Sequence, residues 1–102
     1  MSLKCFTKSE AVTLIRHCLD EGRVIASKHF RDELKAECLN ILDAHHVLNT
    51  GNVFREPEFD VRYQEWNYRM EGTEPDGKQL AIVFSFKEDD LGFLITVFSI
   101  RG

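Results

Sequence analysis

The periodicity of the apolar residues changes once along the chain, near residue 52, and that change constrains the fold more than any other feature. Before it, apolar positions recur at helical spacing. Ala11, Val12, Ile15, Cys18 and Leu19 mark one face, and Ile41, Ala44, Val47 and Leu48 mark another. After it, aromatic and β-branched residues interleave with charged ones, as in half-exposed strands. Helices followed by strands predict an α+β domain, with N-terminal helices packed on a C-terminal antiparallel sheet of about four strands. The chain has 102 residues, of which 43% are hydrophobic and 29% charged, which is enough to close one core without disulfides or metal. One domain over 1–102 is therefore expected.

Local signals set the boundaries. Thr7-Lys8-Ser9-Glu10 has the capping-box form, so a first helix is expected over 9–21, ended by Gly22 in a left-handed conformation. Arg23 to Ser27 reads as a short extended stretch at a sheet edge. A second helix is expected over Phe30 to Glu37, with Phe30 and Leu34 inward and Arg31, Asp32, Glu33 and Lys35 outward. Asn40 caps a third helix, with Asp43 at its third position and Gly51 at its end. Strands are expected at Val53 to Arg55, Phe59 to Tyr63, Trp66 to Gly72, Leu80 to Phe86 and Phe93 to Ile100. Pro57 makes the first of these an edge strand or a bulged one, and the last two are expected to be central. Glu74-Pro75-Asp76-Gly77 is a turn in which Pro sets φ and Gly accepts φ > 0.

Charge and cysteine content narrow the function classes. The formal net charge is −4, so any RNA-binding role must rest on a local basic patch. No apolar run approaches the roughly 18 residues that a membrane helix needs. The N-terminal residues lack the basic-then-apolar layout of a secretory signal, so a cytoplasmic location is expected. Cys5, Cys18 and Cys38 are odd in number and widely spaced, which suits buried structural thiols rather than a disulfide frame or zinc site. An unpaired edge around Val53 to Phe59 would allow a homodimer.

Four constellations are candidates for chemistry. In Ser27-Lys28-His29-Phe30-Arg31 an extended stretch runs into a helix. His29 and Arg31 there could hold a phosphate, or Ser27 could simply cap the helix beside solvated charges. His45 and His46 are adjacent, so they point about 100° apart and cannot chelate one metal as an i, i+4 pair. His45 instead shares a face with Ile41 and Leu48. Tyr63, Trp66, Tyr68 and Arg69 form an aromatic and basic cluster. Strand alternation puts Trp66 and Tyr68 on one face and Arg69 on the other. They could stack bases and serve phosphodiester cleavage, or Trp66 and Tyr68 could be core while Arg69 pairs with a neighbouring strand's carboxylate. Thr96 and Arg101 close the chain, and spacing alone assigns them no role.

Taken in order, several of these pieces resemble a bacterial family, domain of unknown function 4258, over residues 23–101. They are Ser27-x-His29-x-Arg31, Leu48-Asn49-Thr50-Gly51, Trp66-x-Tyr68-Arg69-x-x-Gly72, Asp76-Gly77-Lys78-x-Leu80-x-Ile82-Val83, and Ile95-Thr96-Val97 with Arg101. That family is similar in layout to the BrnT, RelE and MqsR types of toxin in toxin–antitoxin pairs. The resemblance implies an mRNA endoribonuclease, ribosome-dependent or free, that uses no metal or other cofactor and is held inactive by a cognate antitoxin. It places His29, Tyr68 and Arg69 in the catalytic set, with His29 or Tyr68 as general acid or base. It places Lys28, Arg31, Thr96 and Arg101 on phosphate. The competing expectation is a non-catalytic protein- or RNA-binding domain that keeps the toxin-like fold.

Overall fold

A computed structural model of the protein describes residues 4–100. Its elements run α1 (Lys8–Asp20), β1 (Arg23–Ala26), α2 (Lys28–Ala36), α3 (Ile41–Thr50), β2 (Asn52–Val53), β3 (Glu58–Asp60), β4 (Glu65–Thr73), β5 (Gln79–Glu88) and β6 (Leu91–Ser99). The α+β reading holds, with helices in the first half and the sheet built mainly from the second. The sheet itself differs from an antiparallel array of about four strands. It has six strands in the order β1-β6-β5-β4-β2, with β3 also on β4, and β1 runs parallel to β6. Arg23–Ala26 is the expected edge strand, and β5 and β6 are both interior.

Two short strands share the outer edge of β4. Val53 pairs with Met70 in one, and Glu58, Phe59 and Asp60 pair with Asn67, Trp66 and Glu65 in the other. Pro57 lies in the gap between them, where no ladder hydrogen bond is needed. The expected strand from Phe59 to Tyr63 stops at Asp60, because its carboxylate accepts from the Arg62 and Tyr63 amides and turns the chain. Among the exposed apolar side chains are Phe54, Phe59, Val61 and Tyr63 on this rim.

The helices begin where their caps dictate. Thr7 and Glu10 close a reciprocal capping box on α1, and Asn40 and Asp43 close another on α3. In α1, the backbone hydrogen bond from Thr7 holds the Glu10 carboxyl below its ordinary pKa. Gly22 is not left-handed. Its role is close approach, since a Cβ there would stand 2.2 Å from the Asp90 carbonyl oxygen of the β5–β6 turn. Gly77 does take φ +97° in the turn that joins β4 to β5.

One core joins helices to sheet. Ala11, Ile15 and Cys18 of α1, Phe30 and Leu34 of α2, and Ala44, Val47 and Leu48 of α3 meet Met70, Leu80, Ile82, Phe84, Leu94 and Val97. On β4 the pleat sends Tyr68 and Met70 into this core and Asn67, Arg69 and Glu71 to the other face. Of the three cysteines only Cys18 is buried, and Cys5 and Cys38 are exposed free thiols. Burial pushes the Cys18 thiol up from its ordinary pKa. No described helix is long and apolar enough to cross a membrane.

Candidate functional site at the start of α2

The start of α2 is tied to β6 by a single side chain. Ser27, the N-cap, accepts from the Phe30 amide at 3.0 Å and donates to the Ile95 carbonyl at 3.1 Å. Its own amide donates to the Leu94 carbonyl at 3.0 Å. The tie falls where β6 bulges. Phe84 pairs with Leu94 and Val83 with Thr96, so Ile95 is the extra residue. Phe30 and Leu34 bury against the core, which fixes the rotation of the helix about its axis.

That rotation sets His29 and Glu33, four residues apart, beside the β6 segment that follows the bulge. His29 Nε2 lies 3.2 Å from Glu33 Oε1. The same oxygen accepts from the Val97 amide at 3.0 Å and from the Thr96 hydroxyl. Glu33 is therefore not an outward, solvated residue: its side chain is 28% exposed and held by two strand donors, while the imidazole it faces is 68% exposed. A carboxylate fixed by two strand donors can hold an imidazole against it by charge attraction or a hydrogen bond. Such a unit can take a proton from a bound hydroxyl.

The remaining expected site residues scatter. Lys28 is on the same turn, with its ammonium 2.9 Å from Asp32. That hydrogen bond is the main cause holding the Asp32 carboxyl below its ordinary pKa. Arg31 lies on the other side of α2 and lines a groove with Lys35 and His45. Tyr68 is 2% exposed. Its hydroxyl accepts from the Phe6 amide at 2.9 Å, and its ring stacks on Phe84 with centroids 5.6 Å apart. Burial pushes its pKa up. Arg69 points to the opposite face, with its guanidinium 4.9 Å from the Phe98 ring centroid. Its Nε lies 3.2 Å from Glu71 Oε2, a carboxylate on its own strand rather than on a neighbour. Thr96 touches Glu33 through its hydroxyl. Arg101 lies outside the described residues.

The structure thus gathers His29 and Thr96 through Glu33, which the sequence reading passed over. Its signal was present in the four-residue spacing from His29. Without knowledge that β6 lies alongside, that spacing looks the same as any exposed helical pair. His45 is half-buried beside Ile41, and His46 is exposed. Among the described residues no three His, Cys, Asp or Glu side chains come together as a metal-binding set.

No curated protein and no solved structure matches the chain. A family model does match, over residues 26–99, a span that begins at the end of β1 and includes α2, the bulge and the His29–Glu33–Thr96 cluster. By that match the chain belongs to the family described as Domain of unknown function (DUF4258).

Proposed function

We propose that this domain is a toxin-like endoribonuclease that cleaves RNA by general acid–base chemistry centred on His29, restrained in its cell by a cognate antitoxin. The observation that carries the reading is the anchored pair of His29 Nε2 and Glu33 Oε1 at 3.2 Å, with Glu33 fixed in turn by Val97 and Thr96. In the proposed step His29 Nδ1 takes the proton of an RNA 2′-hydroxyl. The 2′-oxygen attacks the adjacent phosphorus, and the bond from phosphorus to the 5′-oxygen breaks. The leaving oxygen takes a proton from water, and the hydroxide so formed takes back the proton held on His29, leaving a 2′,3′-cyclic phosphate, a 5′-hydroxyl and a neutral imidazole. Thr96 acts through Glu33 rather than on phosphate, and Tyr68 serves the core.

A second reading, a non-catalytic binding domain, is favoured by the other face of the sheet. There Asn67 Oδ1 and Ser85 Oγ are buried without hydrogen-bond partners among the described residues, and Arg69 lies over Phe98 beside a cavity of about 190 Å³. Expression of the chain alone in a bacterial host separates the two. The nuclease reading expects arrested growth that is relieved by His29→Ala and persists with Arg69→Ala. Growth unaffected by the wild-type chain at confirmed soluble expression favours the binding domain.

A further inference from the structure

A second surface, separate from the His29–Glu33 pair, lies where β1 meets α2 and α3. A groove of about 680 Å³ has an apolar floor that includes Val24, Leu34 and Leu94, and a rim of Arg31, Lys35 and His45. No carboxylate is among the described residues that line it, although the chain as a whole carries net charge −4. The local sign is thus opposite to that of the molecule.

The groove also borders an open strand edge. Among the described residues, β1 ends the sheet and pairs with β6 alone. The Arg23 and Ser27 amides donate to the Asp90 and Leu94 carbonyls. By strand alternation, the Val24 and Ala26 backbone groups then face away from β6. Three consecutive β1 residues, Val24, Ile25 and Ala26, line the one groove, as happens when a strand presents its edge rather than one face. Ile25 is 42% exposed there.

We infer that this groove binds an extended segment of a partner protein in which apolar and acidic residues alternate. The segment adds to β1 as a further strand. Its backbone pairs with Val24 and Ala26, its carboxylates point to the helix side and meet Arg31, Lys35 and His45, and its apolar side chains, which alternate to the other face, cover Ile25. An open edge supplies affinity without sequence preference, and the cationic rim selects acidic segments. Neither His29 nor Glu33 takes part, so this surface and the nuclease reading stand or fall separately.

The test uses the full chain and a peptide of about eight residues that alternates glutamate with valine and isoleucine, long enough to span β1. Its twin carries lysine in place of glutamate. Amide chemical shifts of the labelled chain should move in β1 and in the facing parts of α2 and α3. The lysine twin should bind at least about tenfold more weakly, and so should the acidic peptide to the Lys35→Glu, Ile25→Glu double variant. The comparison of twins on wild-type protein holds even if the double variant fails to fold. Absent binding, equal affinity for the two peptides, or shifts confined to other elements would overturn the inference. So would a mixed-sequence RNA that displaces the acidic peptide from these same residues.

Discussion

Glu33 joins two segments of the molecule that are far apart in sequence, and its removal should be felt in both stability and chemistry. With Glu33→Ala, the Val97 amide and the Thr96 hydroxyl lose their acceptor, at a cost of about 1–3 kcal/mol if water does not replace it. Urea unfolding measures that cost. His29→Ala, by contrast, changes an exposed side chain and should leave the unfolding midpoint nearly unmoved while abolishing the proposed chemistry. Tyr68 is the opposite case, a residue whose chemistry the fold has put out of reach. Tyr68→Phe leaves the Phe6 amide without its acceptor and should destabilise by about 1–3 kcal/mol at neutral pH. Tyr68 and Cys18 both have folded pKa values raised by burial. The native state therefore holds their protons more tightly than the unfolded chain. The associated stability is fully present below the unfolded values, about 8.5 for cysteine and about 10 for tyrosine, and is lost as pH rises through the folded ones. Melting temperature should fall on going from pH 7 to pH 11, and less steeply in a Cys18→Ala, Tyr68→Phe variant.

At the scale of elements, the caps were legible because each is written in a few adjacent residues. Thr7 with Glu10 and Asn40 with Asp43 are local patterns, and both form as their spacing requires. What adjacency cannot express is which element lies alongside which. Gly22 reads as a left-handed terminator from its own helix alone, yet its need for a missing Cβ comes from Asp90, 68 positions along the chain. Ser27 reads as an ordinary N-cap, yet its hydroxyl also holds the β6 bulge through the Ile95 carbonyl. Ser27→Ala should therefore cost more than the ~1 kcal/mol typical of a lost cap. If denaturant unfolding shows no more than that, the tie to Ile95 contributes nothing. The end of α2 carries the reverse opportunity. Cys38 follows the C-cap Glu37 at φ 59°, a conformation that costs an L-residue about 1–2 kcal/mol. Cys38→Gly relieves that strain at some cost in unfolded-chain entropy, so a small net stabilisation, seen as a raised melting temperature, is expected.

For the molecule as a whole, the change of period near residue 52 gave the layer architecture, because binary patterning decides which surfaces must be buried together. The parallel pairing of β1 with β6 was beyond that logic. Arg23–Ala26 reads as an edge strand from its residues, but four residues cannot tell that its partner is Leu91–Leu94 or that the two run parallel. That pairing also determines the site. It delivers the chain at Ser27 onto the β6 bulge, and α2 then carries His29 and Glu33 beside Thr96 and Val97. Tyr68 and Arg69 lie on opposite faces of β4, as strand alternation requires, which separates two residues that the resemblance placed in one catalytic set.

The central claim is that His29, oriented by Glu33, moves the proton in RNA cleavage, and its most direct measurement is the cutting of a mixed-sequence mRNA by purified protein, with and without ribosomes. The account predicts fragments ending in 2′,3′-cyclic phosphate in at least one of the two conditions, formed about 10²–10⁴-fold more slowly by a folded His29→Ala variant. No cleavage in either condition, or a His29→Ala variant that cuts at the wild-type rate, would contradict it.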